Sequence, residues 1–402
     1  MNSGAVTGRD SLRVCHLAYT FYEYDNRVIR YVDALSERGD QVDVIALRRQ
    51  RHPWREAIKH GQLYSIQRRS MKEKREWVYL LKLLWFFVKA SVLLTWLQLR
   101  RRYHVVHVHN IPDFLAFAAI VPKMMGARVI LDIHDLVPEL YADKFSAKSG
   151  SNRLRLLLLI EKLSCRFADH VIVANHLWRD RLVKRSAPSA KCTAMMNYPD
   201  LRRFRPSSEG ATGRCGKFVM LYPGSLSHHQ GLDIAIRAVA LVAGRMPAAE
   251  LHIYGEGPTR DGLVALAHDR GVADRVRFMD AVPLDEIPAV IASASVGIVP
   301  KRSEGFGGEA FSTKILEFMA CGVPVIVSRT RVDAHYFDDT LVRFFASGDE
   351  VDLGQAMLHA YEHRLEHGAW IRRGLDFAKN NSWQAKGGRY RDLVDSLSAE
   401  VY

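Results

Sequence analysis

The sequence predicts an α/β protein built from two doubly wound parallel-sheet domains. Three observations lead there. The chain has 402 residues, enough for two hydrophobic cores and more than one ordinary core holds. Short apolar runs alternate with helical stretches from end to end, which is the rhythm of βαβ units. A polar stretch rich in Gly, Pro and Ser, "YPDLRRFRPSSEGATGRCGK", separates the runs into two sets.

In the first set, "RVCHLAY", "VDVIAL", "HVVHVHN", "RVILDIHD" and "HVIVANH" read as buried strands. In the second, "KFVMLYPG", "AELHIYGEG", "RVRFMDA", "VGIVP", "VPVIVS" and "VRFFAS" do the same. The expected boundaries are 1–200 for the first domain, 201–216 for a linker and 217–380 for the second domain. Residues 381–402 form a helix expected to pack back on the first domain. Ligands of such sheets bind at the carboxyl ends of the strands.

Composition narrows the function. The five cysteines, Cys15, Cys165, Cys192, Cys215 and Cys321, are scattered without a C-x-x-C pair, which argues against a zinc site and a disulfide framework. A reducing, cytosolic setting fits them, and the N-terminus lacks a signal-peptide layout. The formal charge of +13 is uneven, with 20 Lys/Arg against 10 Asp/Glu in residues 1–103. That bias points to an anionic partner, and without a nucleic-acid motif nucleic acid ranks last.

The segment "KEKREWVYLLKLLWFFVKASVLLTWLQLRRRYH" gives the charge a setting. Residues 79–99 hold 16 apolar side chains in 21 positions, interrupted by Lys82 and Lys89. As a helix over 78–102 this is long enough to cross a bilayer. Crossing would split one sheet across the membrane, because strands precede and follow it. Two readings remain. The helix lies at headgroup level, with Trp85 and Phe86 wedged inward and residues 72–102 meeting an anionic membrane surface. Alternatively it is a core helix packed on the sheet.

"EGFGGEAFSTKILEFMACGVPVIVS" carries the clearest chemistry. Ser312 or Thr313 can cap a helix whose first turn holds Lys314, Gly322 suits its left-handed C-terminal cap, and Pro324 prevents continuation. Glu309 then precedes the helix and Glu317 lies in its second turn. Free backbone N–H groups and Lys314 between them make an anion seat. Carboxylates flanking an anion seat suit a nucleotide sugar, with hydroxyls on both sides of a phosphate. The turn "PGSLSHHQGLD" aims a second helix N-terminus at the same sheet edge, with Gly224 and Gly231 allowing close backbone approach. In the first domain, His109, Asn110, His134 and Asp135 all fall at carboxyl strand ends. No D-x-D triplet occurs, so no carboxylate pair is evident to hold Mg²⁺ or Mn²⁺.

With these blocks in view, the chain resembles the family 4 glycosyltransferases over nearly its whole length. The resemblance rests on "YDNRVIRYVDALSERGDQVDVIAL", "VVHVHNIPDFLAFAAIVPKMMGARVILDIHDLVPE", "GSLSHHQGLD", "LHIYGEGP" with "RVRFMDAVP", and the E-x7-E element "EAFSTKILEFMACGVPVIV". It implies the GT-B architecture, two Rossmann-like domains facing each other across a cleft, and retaining, metal-independent sugar transfer without a cofactor. It also implies residue roles. Glu317 accepts from the donor ribose, and Glu309 holds hydroxyls of the transferred sugar. Backbone amides of Phe311, Ser312 and Thr313, with Lys314, hold the diphosphate. His134 reaches the sugar from the opposite domain. Gly224, Ser225, Gln230 and Gly231 line the donor, and Arg27, His109, Asn110 and Asp135 are expected on the acceptor side. Ser225 and Gln230 stand where many relatives carry Arg and Lys, so Lys314, or Lys301 with Arg302, is left to supply the phosphate charge. The expected partners are a nucleotide sugar, a lipid-linked saccharide acceptor in surface polysaccharide synthesis, and the inner face of the cell membrane. An epimerase or phosphorylase of the same fold, or a non-catalytic membrane-surface adaptor, are the alternatives.

Overall fold

Apolar runs with few charges cannot face water on either side, so they pair in parallel and are covered by their own crossover helices. The computed structural model describes residues 11–49, 52–69, 76–145, 151–206 and 217–399. Its first sheet comprises β1 (Arg13–Ala18), β2 (Gln41–Arg48), β3 (Arg55–Ile58), β4 (Gly61–Arg68), β5 (Val105–His109), β6 (Arg128–Ile133), β7 (His170–Val173) and β8 (Cys192–Ala194). The order is β3-β4-β2-β1-β5-β6-β7-β8, parallel except for the β3–β4 hairpin. The second sheet comprises β9 (Phe218–Pro223), β10 (Ala249–Tyr254), β11 (Val276–Met279), β12 (Val296–Val299), β13 (Val325–Ser328) and β14 (Arg343–Phe345). Its order, β11-β10-β9-β12-β13-β14, is wholly parallel. Both orders reverse direction beside their first strand, between β1 and β5 and between β9 and β12, which is where doubly wound sheets bind ligands.

The chain divides at Met196 and returns at Gly388, so the last helix, Gly388–Ala399, belongs to the first unit. Both breaks differ from the expected 200 and 381. Asn197–Phe204 stays with the second unit because Trp383 N donates to Pro199 O at 2.9 Å and Gln384 Nε2 donates to Asp200. In the first unit, Tyr390 is fully buried and Arg38 pairs with Asp395 at 2.6 Å. Most of the expected linker, residues 207–216 with Cys215, lies outside the described residues, as does the basic run 72–75.

The long helix, Glu76–Arg101, is buried along one side and exposed along the other. Leu83, Phe86, Ala90, Leu94 and Leu97 recur at helical spacing and are buried, with Phe86 edge-on to Tyr19 at 5.0 Å. The opposite side exposes Trp77, Leu80, Leu81, Leu84, Trp85, Val88, Val92, Trp96 and Leu99, several of them more than half exposed. Trp85 and Phe86 therefore do not act together: Trp85 is 56% exposed and Phe86 0%. Adjacent helical positions point about 100° apart, so one can pack on the sheet while the next faces outward. The helix is long and apolar enough to cross a membrane by length and composition, but it connects β4 to β5 of one sheet. Gln98 Oε1 accepts from Tyr103 N at 3.0 Å where the helix ends.

Candidate active site

In the second unit, β9 runs into Gly224 at φ +154°, and the turn that follows reaches Gly231 at φ +67°, ahead of the helix Leu232–Val242. Neither position has room for a side chain. A Cβ on Gly224 would lie 2.4 Å from Lys314 Cε, and one on Gly231 would lie 2.0 Å from Pro300 O. The turn thus presses against the end of β12 and against Lys314. Ser225 contributes its carbonyl, which accepts from Tyr222 Oη at 2.9 Å, and Gln230 pairs with His229 at 2.9 Å.

The helix Thr313–Ala320 begins after Ser312, which occupies the N-cap without a capping hydrogen bond from its side chain. Its Oγ is buried and, among the described residues, has no partner. Phe311 fixes the preceding loop by stacking edge-on to Tyr336 at 5.0 Å. Gly322 ends the helix at φ +71°, as its sequence position requires. Glu309 meets Arg331 at 3.3 Å, and Glu317 lies on the helix one turn after Lys314.

The three candidate phosphate cations differ sharply in their surroundings. Lys301 Nζ is locked between Asp333 at 2.9 Å and Ala310 O at 2.6 Å. Arg302 makes two contacts to Asp233, at 2.7 and 2.9 Å. Lys314 instead lies against Gly224 with its Nζ 5.2 Å from the Tyr222 ring centroid. Burial pushes its ammonium down to about 8, against the pull of Glu317 and with a contribution from Lys301. Of the three, Lys314 alone joins a partly buried charge to the first turn of a helix whose N-cap hydroxyl, Ser312 Oγ, has no partner among the described residues, so the geometry favours it over Lys301 and Arg302.

In the first unit, strand register assembles a histidine cluster. β1 places His16 beside His107 and Ala18 beside His109, and β6 places Asp132 beside His109. Asp132 is fully buried and receives Arg27 in a two-point contact at 2.7 and 2.8 Å. His134 Nε2 lies 3.0 Å from Asp132 Oδ2 and 3.1 Å from His109 Nδ1. His109 Nε2 continues to His16 Nδ1 at 3.0 Å, and Tyr390 Oη joins His107 Nδ1 at 2.9 Å. Burial alone would raise Asp132, but the Arg27 guanidinium and His134 hold it well below the carboxylate range. Burial, with neighbouring imidazoles, pushes His16 and His107 well down, and burial lowers His109 against the pull of Asp132.

Two triplets, His16–His107–His109 and His109–Asp132–His134, have donor atoms near enough to share a metal ion. The hydrogen-bonded reading fits better. The 3.0 Å between His16 and His109 is a hydrogen-bond distance, whereas two nitrogens on one tetrahedral zinc stand about 3.3 Å apart. Arg27 also occupies both oxygens of Asp132.

Arg27 and Asn110, expected on the acceptor side, are turned inward. Asn110 Oδ1 accepts from His134 N at 2.8 Å while its Nδ2 donates to Asp113 at 2.8 Å, which clamps the ends of β5 and β6 together. Asp113 is pushed up to about 7 by burial, and burial also raises Asp135. His16 and Tyr390 were not among the sequence candidates. His16 was discoverable, because aligning "RVCHLA" with "VVHVH" sets it beside His107. Tyr390 carried no such signal.

Comparisons with known proteins bear on both units. Residues 24–197 match the family described as glycosyl transferase 4-like domain, and residues 217–363 match glycosyl transferases group 1. A relative from Mycolicibacterium smegmatis, a GDP-mannose-dependent alpha-(1-6)-phosphatidylinositol monomannoside mannosyltransferase, is 29% identical over 56% of this chain and 62% of its own. The phosphatidylinositol N-acetylglucosaminyltransferase gpi3 subunit of Schizosaccharomyces pombe is 24% identical over 75% of this chain and 63% of its own. The chain thus spans under two thirds of the length of these curated relatives. Among solved structures, sucrose-phosphate synthase from Thermosynechococcus elongatus shares the fold with a TM-score of 0.77 at 18% identity, over 96% of this chain and 100% of that one. WaaG, a glycosyltransferase involved in lipopolysaccharide biosynthesis, does so with a TM-score of 0.69 at 17% identity, over 95% and 99%. With two parallel-sheet α/β units and both family domains in sequence, the chain belongs to the family 4 glycosyltransferases of GT-B architecture.

Proposed function

We infer that the protein is a retaining, metal-independent glycosyltransferase that moves a sugar from a nucleoside diphosphate sugar to a lipid-linked saccharide in surface polysaccharide synthesis. The observation that carries this reading is the seat formed by Lys314, Gly224 and the unpartnered Ser312 Oγ at a helix N-terminus. In it, Lys314 and the first-turn amides hold the diphosphate, Glu317 takes the ribose hydroxyls and Glu309 the sugar hydroxyls. When the bond from the anomeric carbon to the phosphate oxygen breaks, the new bond to the acceptor oxygen forms on the same face. The acceptor proton passes to the departing diphosphate, so stabilising that leaving charge is the main catalytic task. In the first unit, His134 with Nε2–H donated to Asp132 keeps Nδ1 as an acceptor for a sugar hydroxyl.

The exposed apolar side of Glu76–Arg101 supports a peripheral position on the inner face of the cell membrane. The GT-B scaffold is shared by enzymes of different acceptors, so the acceptor class is argued from that surface and from the phosphatidylinositol-directed relatives.

The deciding experiment incubates the purified protein with a panel of nucleotide sugars in EDTA and follows thermal shift, then turnover. One nucleotide is expected to stabilise the parent. Glu317→Ala should weaken its binding by about 1.5–3 kcal/mol, the value of a hydrogen bond to a charged group. Glu309→Ala should reduce turnover more than nucleotide affinity. Parent-like binding and turnover in both variants, or activity lost to EDTA and restored by Mn²⁺, would overturn the reading.

A further inference from the structure

The first unit carries a second concavity that no part of the transfer reaction uses. β3 pairs with β4 as far as Tyr64 and Ser65 N still donates to Trp54 O at 2.8 Å, so on that side β3 leaves the carboxyl end of β4, from Ile66 to Arg68, unpaired beside the helix Glu76–Arg101. The groove between them has a volume of about 880 Å³. That is toward the upper end of the roughly 300–1,000 Å³ of small-molecule sites. Its walls are apolar, with Trp54 on one side and Trp85, Val92 and Trp96 on the helix.

Its charges are less ordinary. Arg48 closes β2 and Arg68 closes β4, and the strand register sets them directly beside each other. Like charges in that relation repel. Among the described residues neither has a carboxylate partner, and both line the groove. Lys89 lines it as well, with Nζ 5.1 Å from the Trp85 ring centroid. Gln67, also in the lining, donates to Lys82 O at 2.8 Å and leaves a buried Oε1 without a partner. An apolar trough lined by Arg48, Arg68 and Lys89 calls for a ligand of matching parts: a chain and an anion.

We propose that this groove binds a single anionic phospholipid drawn from the bilayer, with its phosphate between Arg48, Arg68 and Lys89. Its acyl chain lies along Val92 and Trp96. The proposal rests on the membrane-surface reading above and deepens it from a greasy face to a defined lipid site. The arginines lie at the carboxyl edge of the same sheet that ends in His109 and His134, so the bound lipid fixes which edge of the unit meets the membrane.

The test uses the full chain and separates the groove from the surface. Dihexanoylphosphatidylglycerol, kept monomeric, is titrated calorimetrically against dihexanoylphosphatidylcholine. Sedimentation with vesicles of phosphatidylcholine containing 30 mol% phosphatidylglycerol is measured in parallel. Monomeric phosphatidylglycerol should bind at least tenfold more tightly than phosphatidylcholine. Arg68→Gln with Lys89→Gln, with an unchanged melting temperature, should remove that preference. Leu80→Ser with Leu81→Ser, exposed but outside the groove, should weaken sedimentation and leave monomer binding intact. Monomers that fail to bind while vesicles still sediment would overturn the lipid site and spare the surface reading. Equal binding of both lipids, or full competition by inorganic phosphate at equal concentration, would also overturn it. Absence of both monomer and vesicle binding would remove the two readings together.

Discussion

Lys301 is buried and Lys314 partly buried, and their ammonium groups have opposite fates. Lys301 answers Asp333 inside the fold, so Lys301→Ala leaves a carboxylate buried and unpaired. A loss of about 3–5 kcal/mol of stability is expected, read from urea unfolding. Lys314→Met should instead keep its fold and lose affinity for nucleoside diphosphates, measured by calorimetry. The same lysine sets a pH dependence. Its folded value of about 8 lies below the ordinary 10.5, so the unfolded chain holds the proton longer. This group's contribution to stability therefore rises with pH between those values. Diphosphate affinity should move the other way, because the bound anion favours the ammonium. It should weaken above pH 8 by up to about tenfold per unit, and Lys314→Met should flatten that slope. Which cations are tied to aspartates could not be read from residue order, since Asp333 and Asp233 reach Lys301 and Arg302 from 32 and 69 positions away in the chain.

At the scale of elements, the helix Glu76–Arg101 separates two neighbours that the sequence grouped together. Phe86→Glu drives a charge into the packed side and should cost at least about 3–5 kcal/mol in denaturant unfolding. Trp85→Glu should leave that midpoint nearly unchanged and reduce sedimentation with anionic vesicles. Equal effects from the two would contradict the two-sided helix. The predicted strands were legible because buried parallel strands are short apolar runs with abrupt ends. β3 and β4, "REAI" and "GQLYSIQR", were missed because an edge hairpin mixes polar and apolar residues. β8 was missed because three residues, Cys192–Ala194, carry no period. The turn between β9 and its helix was legible for another reason. Gly224 and Gly231 each sit where a backbone or a lysine stem fills the space a side chain would take, and that need is local.

For the whole molecule, the returning helix Gly388–Ala399 makes the first unit discontinuous in sequence. Tyr390, Val394 and Leu397 are buried there, and Tyr390 Oη joins His107 Nδ1 at 2.9 Å. Truncation after Gly387 should therefore raise amide exchange in β1 and β5 while protection in β9 and β12 persists. Unchanged protection in β1 would show that the helix is dispensable. The arrangement also has a consequence for synthesis. The strands of the first unit wait for residues made after the second, while Asn197–Gly387 emerges complete in between. At about 5–20 residues per second, that intervening stretch delays Tyr390 by about 10–40 s. During that interval the second unit can fold on the ribosome while the first holds an unfinished sheet edge and uncovered histidines. The unit whose strands are translated first is thus the unit that matures later, and the one with the greater need of a chaperone.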